Sequence, residues 1–324
     1  MYWHELTDLQ KKQYIDAESV FMALRDAEKA AQAVRGSMLW RQVSGKTYLI
    51  RTNTDNSQKS LGPHCAELDA VYEKFMARKK MSGERVAGLR QALQLHQKLN
   101  RAHRVGRTPD IVVQILNRLY KSGISEHFIT VGTHALFAYE SACGVRFVDE
   151  ATTTQDIDLL MDTQKHLLLA STLQGRSESL LSTLQKVDPT FDLRDDQLYT
   201  AVNASGFEVD VIPRMAKNHD PHPLQATSAE RDFWVVQVAN GAQMASAPRF
   251  SQMVVTASGH MALMTTLHPV MFSGLKQALA LNPTRDPLKK SRDALQARAV
   301  GELIDELMPH MRAPQTPSPA TPAS

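Results

Sequence analysis

The sequence predicts an α/β (α+β) protein, and three observations carry the prediction. Apolar or alternating segments of strand length recur in its middle: HFITVG from residue 127, DIDLLM from 156 and GFEVDVIP from 206. Helical periodicity stands between and around them, on both the N-terminal and the C-terminal side. Gly132 closes the first of these segments where a helical one begins, which marks a strand-to-helix turn.

At 324 residues the chain exceeds the usual size of one domain, so added modules are expected beside a central core. A composition of 43% hydrophobic and 22% charged residues is that of a soluble globular protein and excludes a disordered chain. The opening MYWHELTDLQKKQYID carries charges where an export signal needs an apolar run, so a cytoplasmic protein is expected. The apolar stretch 261–281 is broken by His268, Pro269 and Lys276, which argues against a membrane span. Cys65 and Cys143 lie far apart without metal-ligand spacing and read as small core residues.

Residues 1–123 read as an N-terminal helical module with a small β-hairpin. A helix is expected over 8–34, with Tyr14, Val20, Phe21, Leu24, Ala27 and Ala31 on one stripe. Two or three short strands follow around Ser44-Gly45 and Asp55-Asn56, then helices over 64–103 and 109–122, the last stopped by Gly123. The net charge of +3 does not by itself indicate a polyanionic partner. Locally, however, residues 78–107 carry Arg78, Lys79, Lys80, Arg85, Arg90, Lys98, Arg101, Arg104 and Arg107 against the single acid Glu84. A solvated helix face is the commoner reading of such a run, and a polyanion-binding surface is the alternative. Residues 124–258 form the core, 259–312 a C-terminal helical region, and 313–324 a Pro-, Thr- and Ser-rich tail expected to be disordered.

The chemistry is carried by acids on two strand segments. Asp156 and Asp158 are two apart and therefore share a face of their strand. Side-by-side carboxylates repel unless a cation lies between them, and paired oxygen ligands that share substrate phosphates are the usual way to hold Mg²⁺. In GFEVDVIP, Glu208 and Asp210 also share a face, and the apolar frame of Val209 and Val211 makes Asp210 the better choice. Gly132 and Thr133 stand at a helix start, where unpaired N–H groups and the helix dipole attract phosphate. Lys276 interrupts an apolar helical pattern, where a lysine is either a buried point charge or a side chain that reaches solvent along its stem. Arg285, Lys289, Lys290 and Arg292 are weaker candidates, Asp293 reads as a structural partner for such a cation, and His134 as an ordinary helix-start residue.

Gly132-Thr133 on a strand-to-helix turn, Asp156-Ile157-Asp158 on the next strand and Asp210 on a later one resemble the nucleotidyltransferase superfamily of DNA polymerase β. That pattern has Gly or Ser after the first Gly, where this chain has Thr. More narrowly, VGTHALFAYESACGV with TTTQDIDLLMD is similar to bacterial nucleotidyltransferase-fold proteins distantly related to AbiEii-type toxins. HPVMFSGLKQALAL and RDPLKKSRDALQARAVGELI are similar to their C-terminal helices, with Lys276, Lys290, Asp293 and Gln296 at matching positions. The resemblance implies a core with a mixed sheet and transfer of an NMP group from an NTP, ATP among them. It implies two Mg²⁺ ions, with Mn²⁺ as the substitute, bridged by Asp156 and Asp158 and completed by Asp210. Gly132, Thr133 and Lys276 would then bind the nucleotide. RNA, reached through the basic stretch 78–107, is the first acceptor to consider. A protein or small-molecule acceptor of toxin or resistance type, and a non-catalytic nucleotide-binding module, are the alternatives.

Overall fold

The computed structural model describes residues 2–161, 166–175, 178–213, 224–227, 229, 231–235 and 248–312. The expected disordered tail, 313–324, lies outside them. The chain divides into two compact units, one of residues 12–103 and one of residues 1–11 with 104–324.

The smaller unit takes most of α1 (Asp8–Ala31), a three-stranded antiparallel sheet of β2 (Ser37–Val43), β3 (Lys46–Thr52) and β4 (Gln58–Pro63), and α2 (Ala66–His103). Ser44 and Gly45, both at positive φ, make the β2–β3 turn that the sequence marked. In α1, Tyr14, Ala17, Phe21, Leu24 and Ala27 are buried at helical spacing, while Ile15 is 60% exposed, as its place off the stripe requires. Cys65 is exposed ahead of α2, and Cys143 is half-buried, so Cys65 is no core residue; its polar neighbours His64 and Glu67 keep it at the surface.

In the larger unit, β1 (Trp3–Glu5) pairs antiparallel with β6 (Val145–Phe147). The centre is a mixed seven-stranded sheet. Its order is β13 (Arg249–Val255), β14 (Met261–Leu267), β5 (Phe128–Val131), β7 (Asp156–Met161), β10 (Glu208–Pro213), β9 (Thr200–Val202) and β8 (Asp192–Leu193). The β14–β5 and β7–β10 pairs are parallel and the rest antiparallel. A further pair, β11 (Leu224–Gln225) with β12 (Trp234–Val235), is antiparallel.

Period-two alternation sorts the central strands between two cores. Ile157, Leu159 and Met161 of β7 and Val209 and Val211 of β10 join α3 (Asp110–Lys121), α6 (His166–Gln174) and α7 (Leu180–Gln185) on one face. Leu160 and Ile212 turn the other way, toward Leu136 and Tyr139 of α4 (Leu136–Cys143), Phe272 of α8 (Pro269–Leu281) and Val300, Leu303 and Ile304 of α9 (Pro287–Leu307). Asp156, Asp158 and Asp210 share the parity of Leu160 and Ile212, so the fold aims all three at the face the C-terminal helices cover.

Arg107 ties the chain entering this unit to the core. Its guanidinium pairs with Glu140 and Asp149 and donates to the Phe147 carbonyl at 2.6 Å, while Glu140 also accepts from the Phe147 amide at 2.7 Å. Arg107, counted in the basic stretch, is therefore spent on structure. Removing one partner of a buried pair strands the other charge. Arg107→Met is accordingly expected to lower stability by ~3 kcal/mol in urea denaturation, against under ~1 kcal/mol for Arg312→Met, whose pair with Asp305 is exposed.

Candidate active site

The parallel pairing of β7 with β10 sets Asp158 opposite Asp210 and Asp156 opposite Glu208. One oxygen from each of Asp156, Asp158 and Asp210 lies within 4.8 Å of the others. Glu208 is drawn aside by Arg194, whose Nη1 donates to its Oε1 at 2.9 Å. That leaves Asp210 to face Asp158, with its Oδ1 accepting from the Thr200 hydroxyl at 2.6 Å. Asp156 is bonded by the Thr154 hydroxyl.

Gly132, at the end of β5, has φ +67 and ψ −154, backbone that only glycine adopts readily. A Cβ built there would lie 2.0 Å from Asp158 Oδ2, so the glycine backbone touches the carboxylate directly. Thr133 follows it in a short 3₁₀ turn leading into α4, buried and accepting a hydrogen bond from Gln296 at 3.2 Å.

The covering helices bring cations to the same face. Lys276 of α8 is 5% exposed and donates from Nζ to Asp293 Oδ1 at 2.8 Å. Asp293 Oδ2 accepts from Arg285 Nε at 3.0 Å. Burial pushes the Lys276 pKa down, and Asp293 and then Asp158 oppose the shift. Arg292 donates to the Thr153 carbonyl at 3.3 Å and stands near enough to lower the Asp158 pKa. Lys290 turns back to the Pro283 carbonyl at 3.3 Å, and Lys289 is exposed.

A family model described as Nucleotidyltransferase matches residues 110–315, more than half of the chain. The chain belongs to this nucleotidyltransferase family. No curated protein and no solved structure matches it. The matched span contains every strand of the seven-stranded sheet, all three carboxylates and both covering helices.

The electrostatics of this carboxylate cluster ask for a cation. Burial, then Asp156 and Asp210, push the Asp158 carboxyl up to about 7, and Lys276 and Arg292 offset only part of the shift. Asp210 is raised as well, chiefly by burial, against the Thr200 hydrogen bond. Oxygen ligands at this spacing, short of positive charge, fit a hard divalent ion. His134 is buried beside them, both ring nitrogens without a partner among the described residues, its ring 5.7 Å from that of Phe137 and 6.2 Å from that of Phe207. Burial depresses its pKa to about 4, so the imidazole is neutral.

Sequence reasoning missed Thr154, Thr200 and Arg194 as carboxylate partners and Gln296 as a partner of Thr133. Thr154 was signalled by its place two residues before Asp156. The others depend on strand and helix neighbours far away in sequence and left no local mark.

Because its folded pKa is raised, Asp158 favours the protonated, metal-free fold. That stability is full below the ordinary carboxylate range of about 4 and is lost as pH rises through about 7. Asp158→Asn is therefore expected to raise the metal-free melting temperature at pH 8 and to have a smaller effect at pH 5. Mg²⁺ should raise the melting temperature of the native chain at pH 8 and leave that of the variant unchanged, read by thermal denaturation.

Proposed function

We propose that the chain moves an NMP group from an NTP onto an acceptor hydroxyl in a reaction that depends on divalent metal. What supports the reading is the single face that carries Asp156, Asp158 and Asp210, with Gly132 against Asp158, inside a nucleotidyltransferase family match. The same order of elements supports kinship with the polymerase β superfamily and, more distantly, with AbiEii-type toxins. Asp156, Asp158 and Asp210 would hold Mg²⁺, two ions by that kinship, with Mn²⁺ as the substitute. When bound, such ions lower the pKa of an acceptor hydroxyl and neutralise charge developing on pyrophosphate.

The chain's own groups have separable tasks. Thr200 occupies Asp210 Oδ1, which leaves Oδ2 to orient the acceptor hydroxyl and take its proton. Gly132 lets the backbone approach the phosphates closely, and Thr133 offers a hydroxyl there. Lys276 and Arg292 supply positive charge from the covering helices, fixed in place by Asp293 and the Thr153 carbonyl.

RNA is the acceptor that charge favours. Residues 12–103 hold 16 Lys and Arg against 9 Asp and Glu, whereas the rest of the chain holds 21 against 25. The positive charge is thus concentrated in the smaller unit, where Arg78, Lys80 and Arg85 are exposed along α2. Such a surface binds phosphate backbones without reading sequence.

Incubation with each labelled NTP, Mg²⁺ and RNA, protein or small-molecule acceptors tests the proposal. The native chain is expected to label RNA, the Asp156→Asn, Asp158→Asn double variant to label nothing, and Arg78→Gln, Lys80→Gln, Arg85→Gln to cut labelling about tenfold with a shallower salt dependence. Labelling of protein or small molecules alone, unaffected by the basic variant, would replace RNA as acceptor. No incorporation from any NTP into any acceptor would overturn the transfer reading.

A further inference from the structure

Gln296 projects from α9 into the turn after β5, fully buried. Its Nε2 lies 2.7 Å from the Ala151 carbonyl and 3.2 Å from the Thr133 hydroxyl oxygen. A carbonyl oxygen only accepts, so the atom facing Ala151 must be the amide nitrogen, and the flipped amide would set two oxygens against each other. The second proton of that nitrogen goes to Thr133. A threonine hydroxyl that accepts at this position keeps its own proton to give elsewhere. No acceptor among the described residues takes it.

We infer that Gln296 is a positioning residue that fixes Thr133 as a hydrogen-bond donor to a phosphate oxygen of the NTP; the inference rests on the nucleotidyl-transfer reading of the site. Two further observations point the same way. Thr133 directly follows Gly132, whose backbone touches Asp158, so the residue stands in the turn beside the carboxylate cluster. The Gln296 Oε1 is buried without a partner among the described residues, although buried side-chain acceptors are as a rule satisfied. The amide is thus held to serve as a donor to Ala151 and Thr133 at the expense of its own acceptor. The tether also joins α9 to α5 (Asp149–Thr152) and to the phosphate turn, so the covering helix sets the hydroxyl's direction.

The test is a double-mutant cycle on the full chain, with inorganic tripolyphosphate and Mg²⁺ as the probe, followed by calorimetry. Tripolyphosphate removes base preference from the comparison. Gln296→Met and Thr133→Val are each expected to weaken binding about tenfold, and the double variant to bind no more weakly than Thr133→Val alone. Packing alone would leave tripolyphosphate binding close to native in Gln296→Met, which keeps the side-chain volume and loses only the donor. Binding by Gln296→Met within about twofold of native, or losses that multiply to about a hundredfold in the double variant, would overturn the inference. Thermal melts establish that each variant folds, and Gln296→Leu takes the place of the methionine variant in the cycle if that one does not. No binding by the native chain, or equal binding by the Asp156→Asn, Asp158→Asn variant, would defeat the transfer reading and this inference with it. Intact native binding with uncoupled losses defeats the inference alone.

Discussion

The mutual repulsion of three carboxylates on one sheet face is the constraint around which the larger unit is arranged. Register creates it: the parallel β7–β10 pairing puts Asp158 beside Asp210, and alternation turns both toward the C-terminal helices. A shift of one residue in either strand would turn its acids into the apolar core on the opposite face and its apolar residues toward the carboxylate side. Apolar packing on the opposite face therefore fixes the geometry of a cluster that gains nothing for the fold by itself.

The surroundings restrain the repulsion without cancelling it. Thr200 and Thr154 each donate to one carboxylate, Arg194 removes Glu208 from the cluster, and Gly132 admits Asp158 where any side chain would block it. Lys276 is close enough to influence Asp158, but its hydrogen bond goes to Asp293, which Arg285 also holds. Positive charge is thus anchored next to the site and kept out of it. That arrangement suits a centre that receives both a divalent cation and a polyphosphate, since a lysine bonded directly to Asp158 would compete with the metal.

Much of this was legible in the sequence because local pattern and tertiary role coincide there. The strands at 128–131, 156–161 and 208–213 follow from apolar or alternating segments of strand length, and Gly123 and Gly132 mark a helix end and a turn that take positive φ. The choice between Glu208 and Asp210 rested on apolar neighbours in the sequence; in space it rests on Arg194, fourteen residues upstream. Arg107 looked like one more basic residue in a run, yet its partners Glu140 and Asp149 reach it only through the fold. Cys65 looked like a core residue by type alone and lies in an exposed connection. The contacts that sequence concealed are those made across strands or between the sheet and its covering helices, where no fixed spacing links the partners.

Calorimetric titration of each NTP with and without Mg²⁺, on the native chain and on the Asp156→Asn, Asp158→Asn double variant, tests the central claim most directly. The account predicts binding of at least one NTP that requires Mg²⁺ and disappears in the double variant. Binding that is equal in the two proteins, or absent from both, would contradict it.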